Sequence, residues 1–413
     1  MNPIQIGLLG VGTVGGGTCT VLKRNREEIA RRAGREIVVK MIADTNLERA
    51  RSLADAGVIV TADGHEVTRN PDIDIVVELI GGQTIAKELI LEAIANGKHV
   101  VTANKALLAN HGTEIFAAAR AKGVIVAFEA AVAGGIPIIK ALREGLTANR
   151  ITWIAGIING TSNFILSEMR DKGLSFDQVL MQAQKLGYAE ADPTYDIEGI
   201  DAAHKITLMS AIAFGIPVQF SKVYVEGITK LTGDDIRYAE ELGYRIKLLG
   251  ITKRVEKGIE LRVHPTLIPM KRLIANVEGV MNAIVVKGDA VGASDRLGHL
   301  ALQRAEDHSG PRARHALRRT QGRDRRGPRA LQEPGELGDL HPHELLRSRD
   351  RRHRHQAQGA REVEDLVTRS VVEATEADRG ARFDRSWGRS RRRASSSWCS
   401  YSASSSGVSK RAP

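Results

Sequence analysis

Five carboxylates precede one lysine in the stretch Gly187 to Lys205, GYAEADPTYDIEGIDAAHK. The acids are Glu190, Asp192, Asp196, Glu198 and Asp201, set among glycines, a proline and a tyrosine. Gly199 can release a loop into a helix running IDAAHKITLMSAIAF, on which Asp201 and Lys205 lie four residues apart on one face. Acid and amine then point the same way. Alone, such a pair is a solvated salt bridge worth a few tenths of a kcal/mol. The four upstream acids could not sit close together ionised without counter-charge, so a cationic ligand or a structural turn has to account for some of them. An amino-acid ammonium group would serve. Asp196 and Glu198 can orient the lysine or cap the helix near Gly199. His204 points about 100° away from Lys205 around the helix and reads as a packing or surface histidine.

A second chemical feature opens the chain. Gly10, Gly12 and Gly15 form GVGTVG between a strand-like QIGLLG and a helix-like segment. In that context glycines permit a tight turn and close approach of backbone to a pyrophosphate, whose charge is met by helix N-terminal N–H groups. A dinucleotide cofactor follows, the alternative being a fold of this type that has lost its ligand. Asp44 ends the second strand, where an acid can bond a ribose 2′-hydroxyl and disfavour NADP, although Arg49 and Arg51 soften that preference. Asp44 can equally cap the helix that follows. Lys105, in TANKALL just beyond a strand, sits where open α/β sheets place ligands. The glycine-rich FEAAVAGGIPII reads as a hinge that needs glycine dihedrals, and Asn159 to Asn163 as a polar turn into a helix.

The elements that must position these groups fall into two patterns. Up to residue 135, short apolar runs (QIGLLG, IVVKMIAD, VIVT, DIDIVVELI, KHVVTA, VIVAFEA) alternate with helical segments, including ones near Leu47–Ala56, Ala86–Asn96 and Gly112–Lys122. Alternation of this kind predicts a Rossmann-type doubly wound parallel sheet, with DIVVELI a central strand covered on both faces. Residues 136–292 mix helices such as FDQVLMQAQKLG with strand-like RITWIAGIIN, YRIKLLGITKR and IELRVHPTLI, an α+β substrate and dimerisation domain. No internal repeat is present.

The net charge of +11 invites a nucleic-acid reading until its location is considered. Residues 1–293 carry +1 and residues 294–413 carry +10. In that last stretch 25 of 26 cations are Arg, and Ile, Met and Asn are absent. Neither helical nor strand periodicity is visible there, so residues 293–413 are expected to form an aberrant Arg-rich tail without a packed core. Two accounts compete: a genuine basic tail for nucleic acid, or a reading frame lost near codon 293, which fits Lys-poor, Ile- and Asn-free usage. Cys19 and Cys399 are the only cysteines, so neither a disulfide framework nor a Cys-based metal site is supported. No secretory leader or membrane-length apolar run is evident, which predicts a soluble, cytoplasmic protein.

The acidic segment, together with GLLGVGTVG, DIDIVVELIGG, GKHVVTANKALL, FEAAVAGGIPII, NGTSNFIL and LRVHPTLIP, resembles the homoserine dehydrogenase family from about residue 3 to residue 292. That resemblance implies NAD(P)-dependent interconversion of L-homoserine and L-aspartate 4-semialdehyde, a step toward threonine, methionine and isoleucine, in a homodimer. It implies Lys205 as proton donor, Asp201 as its partner and substrate contact, and Lys105 between nicotinamide and substrate. Glu190 would meet the substrate ammonium, Gly187 would offer backbone to the substrate, and Thr13 and Val14 would add backbone contacts to the dinucleotide. A monovalent cation, sodium, would be held by Glu129, Val132, Gly134 and Ile136. Past Gly292 the family's glycine-rich turn, its PTASAV helix returning to the first domain and a regulatory ACT domain are not recognisable, a departure that implies impaired catalysis. The alternatives are another two-domain NAD(P) oxidoreductase, or a nucleotide-sensing or nucleic-acid-binding protein using the tail.

Overall fold

The structure, a computed structural model, describes residues 2–290, 299–303, 358 and 360–364. The first unit runs β1 (Ile4–Leu9), α1 (Thr13–Arg24), α2 (Arg26–Ala33), β2 (Ile37–Ala43), α3 (Leu47–Leu53), β3 (Ile59–Thr61), α4 (Gly64–Arg69), β4 (Ile75–Glu78), α5 (Thr84–Ala95), β5 (His99–Thr102), α6 (Lys105–Lys122) and β6 (Val126–Ala127). Its strands pair in parallel in the order β3-β2-β1-β4-β5-β6. This is the doubly wound dinucleotide-binding order, and its switch point lies between β1 and β4. Every residue of β4 is buried, as a strand covered by helices on both faces must be. One of those residues is Glu78, so the central strand is not wholly apolar.

Three helices depart from the sequence reading. Helices α2 and α4 were not visible in the pattern, being short and mostly polar. Helix α6 begins at Lys105 rather than near Gly112, because the Asn104 side chain caps it by accepting from Leu107 N at 3.1 Å. Lys105 is therefore the first residue of a helix.

The second unit follows with α7 (Ile138–Lys140), β7 (Ile151–Ile157), α8 (Gly160–Lys172), α9 (Phe176–Leu186), α10 (Thr194–Ile197), α11 (Ile200–Phe214), β8 (Tyr224–Val225), α12 (Gly233–Glu241), β9 (Tyr244–Val255), β10 (Gly258–Pro269), β11 (Asn282–Gly288) and β12 (His299–Gln303). Its sheet has the order β12-β11-β7-β9-β10-β8, antiparallel except where β8 joins β10. Helices α8 and α11 share a core with that sheet through Ile165, Met169, Ile206, Leu208, Ile154 and Leu248. Burying that apolar face is what fixes α11, and with it the register of Asp201 and Lys205.

Two findings alter the expected boundary at residue 292. Strand β12 pairs with β11 from Asn282↔Gln303 to Val286↔His299, so the second sheet continues to Gln303. Residues 360–364 are helical and seated on the first unit: Ala360 and Val363 are fully buried in one cluster with Ala127 and Val101. Glu364 Oε1 accepts from Phe128 N at 2.6 Å and Glu129 N at 2.7 Å, while Arg361 pairs with Glu144 at 2.9 Å. The expectation of a tail devoid of packing fails for these residues. Two apolar side chains three apart are too short a pattern to read as an amphipathic helix. The rest of the tail, including Cys399, lies outside the described residues.

Candidate active site

The glycine turn between β1 and α1 is shaped by close approaches. Gly10 has φ +90°, and a Cβ there would lie 2.9 Å from the Leu79 carbonyl. A Cβ on Gly15 would lie 2.0 Å from the Gly10 oxygen, whereas one on Gly12 would meet no atom within 4 Å. Two glycines thus pack helix against strand, and the third faces open space, as a turn that admits a pyrophosphate requires. Asp44, just past β2, braces the same turn: Oδ2 accepts from Val11 N at 2.6 Å and Oδ1 from Asn46 N at 2.7 Å. The alternative of Asp44 as cap of α3 is not what forms. Asn46 is the cap, accepting from Arg49 N at 3.0 Å. Arg49 also reaches the turn, donating to Gly12 O at 3.0 Å.

Helix α11 starts at Gly199, whose left-handed φ of 79° turns the chain into the helix with no side-chain cap. Neither Asp196 nor Glu198 serves as that cap. Asp201 and Lys205 do share a face: Lys205 Nζ lies 2.6 Å from Asp201 Oδ2 and donates to Ile158 O at 2.7 Å. Lys105 crosses from the first unit to Asp201 Oδ1 at 3.1 Å. Asn159, the cap of α8, accepts from Ser162 N at 2.8 Å with Oδ1 and donates with Nδ2 to Asp201 Oδ2 at 3.0 Å and Asp196 Oδ1 at 2.7 Å. The polar turn is therefore both a cap and an arm of the site. Burial alone would raise the Asp201 carboxyl, but the two lysine charges and the bonds from Lys205 and Asn159 hold it well below the usual carboxylate range. One buried carboxylate bridges two ammonium groups.

The remaining acids divide by role. Asp192 closes a local turn, accepting from Thr194 N at 3.1 Å and Thr194 Oγ1 at 2.6 Å. Glu198 accepts from Thr229 Oγ1 at 3.0 Å. Asp196 is pushed up by burial, and the neighbouring Asp201 charge adds to the shift against the Asn159 bond. Glu190 is exposed on the loop after α9, whose left-handed C-terminal residue is Gly187 (φ 79°), and no partner of its carboxylate is found among the described residues. His204 is buried, 4.4 Å from the Phe220 ring and 6.1 Å from that of Tyr195, which settles the packing reading over the surface one. Burial drives its imidazole toward the neutral form.

Glu129 is buried at the junction of the two units, and its carboxylate caps α7, accepting from Ile139 N at 2.7 Å and Lys140 N at 2.8 Å. Its carbonyl accepts from Val132 N at 3.2 Å, and that of Ile136 from Ile138 N at 2.8 Å. Among the described residues no cluster of three or more His, Cys, Asp or Glu side chains could hold a metal ion. Nor is any described helix long and apolar enough to cross a membrane.

Sequence reasoning missed three parts of this site: the Lys105–Asp201 pair, the Ile158 carbonyl under Lys205, and the Asn159 arms. Only the last carried a signal, in NGTSN.

The geometry agrees with what the chain resembles. Residues 10–129 match the family model described as homoserine dehydrogenase, NAD binding domain, and residues 137–304 the one described as homoserine dehydrogenase. The homoserine dehydrogenase of Pseudomonas aeruginosa is 68% identical over 295 residues, 71% of this chain and 67% of that protein. That of Neisseria gonorrhoeae is 65% identical over 292 residues, with the same shares covered. A solved homoserine dehydrogenase from Thiobacillus denitrificans is 71% identical and superimposes with a TM-score of 0.69, covering 73% of this chain and 68% of that one. A hyperthermophilic archaeal homoserine dehydrogenase in complex with NADPH is 25% identical, with a TM-score of 0.59 over 73% of this chain and 91% of that one. With two thirds of its relatives' length matched at such identity and both family models matched, the chain belongs to the homoserine dehydrogenase family.

Proposed function

We propose that the chain interconverts L-homoserine and L-aspartate 4-semialdehyde with NAD or NADP, as a step toward threonine, methionine and isoleucine. The observation that carries this reading is the Lys105–Asp201–Lys205 array, which joins the dinucleotide-binding unit to the substrate-side helix. A nicotinamide supplies or accepts the hydride at the substrate carbon. In the reducing direction the aldehyde oxygen gains negative charge, and the Lys205 ammonium gives it a proton and leaves a neutral amine. Asp201 keeps Lys205 aimed, and touches substrate. Lys105 would stand between nicotinamide and substrate, while Glu190 would meet the substrate ammonium and Gly187 would offer backbone.

Gly10, Gly12, Thr13, Val14 and Gly15 would hold the dinucleotide, with Asp44 beside the ribose. Asp44 already spends both oxygens on Val11 N and Asn46 N, and Arg49 lies at the turn, an arrangement that tolerates the additional phosphate of NADP. The oxygen donors of Glu129, Val132, Gly134 and Ile136 suit a hard monovalent cation such as sodium, sharing the Glu129 oxygens with two N–H groups. The proposal further includes a cytoplasmic homodimer formed through the second unit, with residues 1–135 as the dinucleotide domain and 136–292, extended by β12, as the substrate domain.

The test is turnover of L-homoserine by the full chain with each dinucleotide, followed by nicotinamide absorbance. Oxidation of a polyol without oxidation of L-homoserine would replace this reading by another NAD(P) oxidoreductase.

A further inference from the structure

Glu78 is fully buried at the carboxyl end of β4, next to the switch point of the first sheet. Its neighbours are hydrogen-bond donors. Oε1 accepts from Ile80 N at 2.9 Å and Gly81 N at 3.2 Å, and Oε2 from Thr102 Oγ1 at 2.6 Å. Thr102 is its register partner on β5. Among the described residues no cation pairs with it; a buried carboxylate so held is costly, and an apolar residue would serve a central strand better. Strand stability is therefore a poor reason for an acid here.

The bonds continue to the site. Thr102 Oγ1 accepts from Asn104 N at 3.0 Å, and Asn104 Nδ2 donates to Gly82 O at 2.6 Å while its Oδ1 caps α6. Lys105 is the first residue of that helix, and its Nζ meets Asp201 at 3.1 Å. On its other side the loop begun by Glu78 abuts the glycine turn, where a Gly10 Cβ would touch Leu79 backbone. Both the dinucleotide turn and the start of α6 are thus tied to one carboxylate. Burial raises the Glu78 carboxyl, and the bonds it accepts from Thr102, Gly81 and Ile80 oppose that shift.

We propose that Glu78 is a positioning residue that fixes Lys105 through Thr102 and Asn104. The proposal rests on the functional reading above for the role of Lys105. Glu78→Gln keeps the shape and replaces one acceptor oxygen by an amide donor, so the donors gathered there lose an acceptor. A double-mutant cycle with Lys105→Met separates positioning from general support. The expected result is a loss of about tenfold or more in kcat for Glu78→Gln, as misplacement of a reacting-site group gives, but less than about twofold further loss in the Lys105→Met background. An equal fold loss in both backgrounds, or no loss in either, overturns it.

If the wild-type chain does not turn over L-homoserine, the functional reading fails, and the same cycle is read on the Kd for NADPH by nicotinamide fluorescence. There, a Glu78→Gln effect that vanishes with Lys105→Met supports positioning, and one that persists unchanged, or is absent throughout, refutes it. If Glu78→Gln does not fold, Thr102→Val, which cuts the same link at its next atom, is carried through the cycle with the same outcomes.

Discussion

Lys105 of the first unit and Asp201 of the second meet at 3.1 Å, so one ion pair spans the cleft in which cofactor and substrate must come together. Asp201 is buried, and its second oxygen holds Lys205 at 2.6 Å. A buried carboxylate between two ammonium groups fixes both amines more firmly than solvent-exposed pairs could. The arrangement gives the site two cations of known direction, one from each unit.

Removing the proposed proton donor should therefore affect chemistry more than binding. Lys205→Met is expected to lower kcat by at least about 100-fold, the usual contribution of a positioned acid or base, while NADPH fluorescence titration gives an unchanged Kd. A kcat within a few-fold of wild type would exclude Lys205 as donor.

Glu190 makes a contrasting case, because its carboxylate is exposed and, among the described residues, uncommitted. Glu190→Gln should raise KM for L-homoserine by about tenfold, the worth of roughly 1.4 kcal/mol of lost charge pairing, with a smaller effect on kcat. A kcat loss at constant KM would mean that Glu190 acts in the transition state instead.

The glycine turn offers a steric test. A Cβ at Gly15 would stand 2.0 Å from the Gly10 carbonyl oxygen, so Gly15→Ala must push α1 away from β1. Dinucleotide affinity should fall by about tenfold or more, measured by the same fluorescence titration. Gly12→Ala meets no protein atom and should leave the melting temperature unchanged while still weakening the dinucleotide. If Gly15→Ala binds NADPH normally, the helix N-terminus is not where the pyrophosphate lies.

What the sequence made legible was whatever has a local signature. Alternating apolar runs announced the parallel sheet, GVGTVG marked the turn, and an i, i+4 spacing placed Asp201 beneath Lys205. The bridge from Lys105 to Asp201 has no such signature, since the residues lie far apart in the chain and meet only when both units are folded. Glu78 escaped for another reason: within an otherwise apolar strand one acid looks like the strand's end. Bonds to Ile158 O or from Val11 N belong to backbone, which every residue carries alike.

Burial of Lys247 adds a pH signature. On β9 it is 1% exposed, donating to Asn163 Oδ1 at 2.9 Å and Val277 O at 2.7 Å, and burial, with the nearby Arg170 charge, brings it down to about 8. Its folded value lies below its unfolded value of about 10.4. Between these the unfolded chain binds more protons, so stability from this group rises with pH across that window and is lost as pH falls through about 8. The rise should be on the order of 3 kcal/mol at most. Urea unfolding of wild type and Lys247→Met at pH values from 7 to 10 (about the span of the two values) checks it: the variant should lack the rise. Parallel curves would assign the pH dependence elsewhere.

The seating of residues 360–364 can be tested through one side chain. Glu364 is 7% exposed and satisfies the N–H groups of Phe128 and Glu129, immediately before the segment that leads into the second unit. Glu364→Ala would leave both donors buried without that acceptor, at a cost of about 1–3 kcal/mol. Glu364→Gln retains an acceptor oxygen and should recover most of the loss. The ordering wild type, Gln, Ala in urea midpoint, at constant slope, would establish that this part of the Arg-rich stretch is folded onto the dinucleotide-binding unit. Identical midpoints would mean that Phe128 and Glu129 are satisfied without it, and that the first unit closes by other contacts.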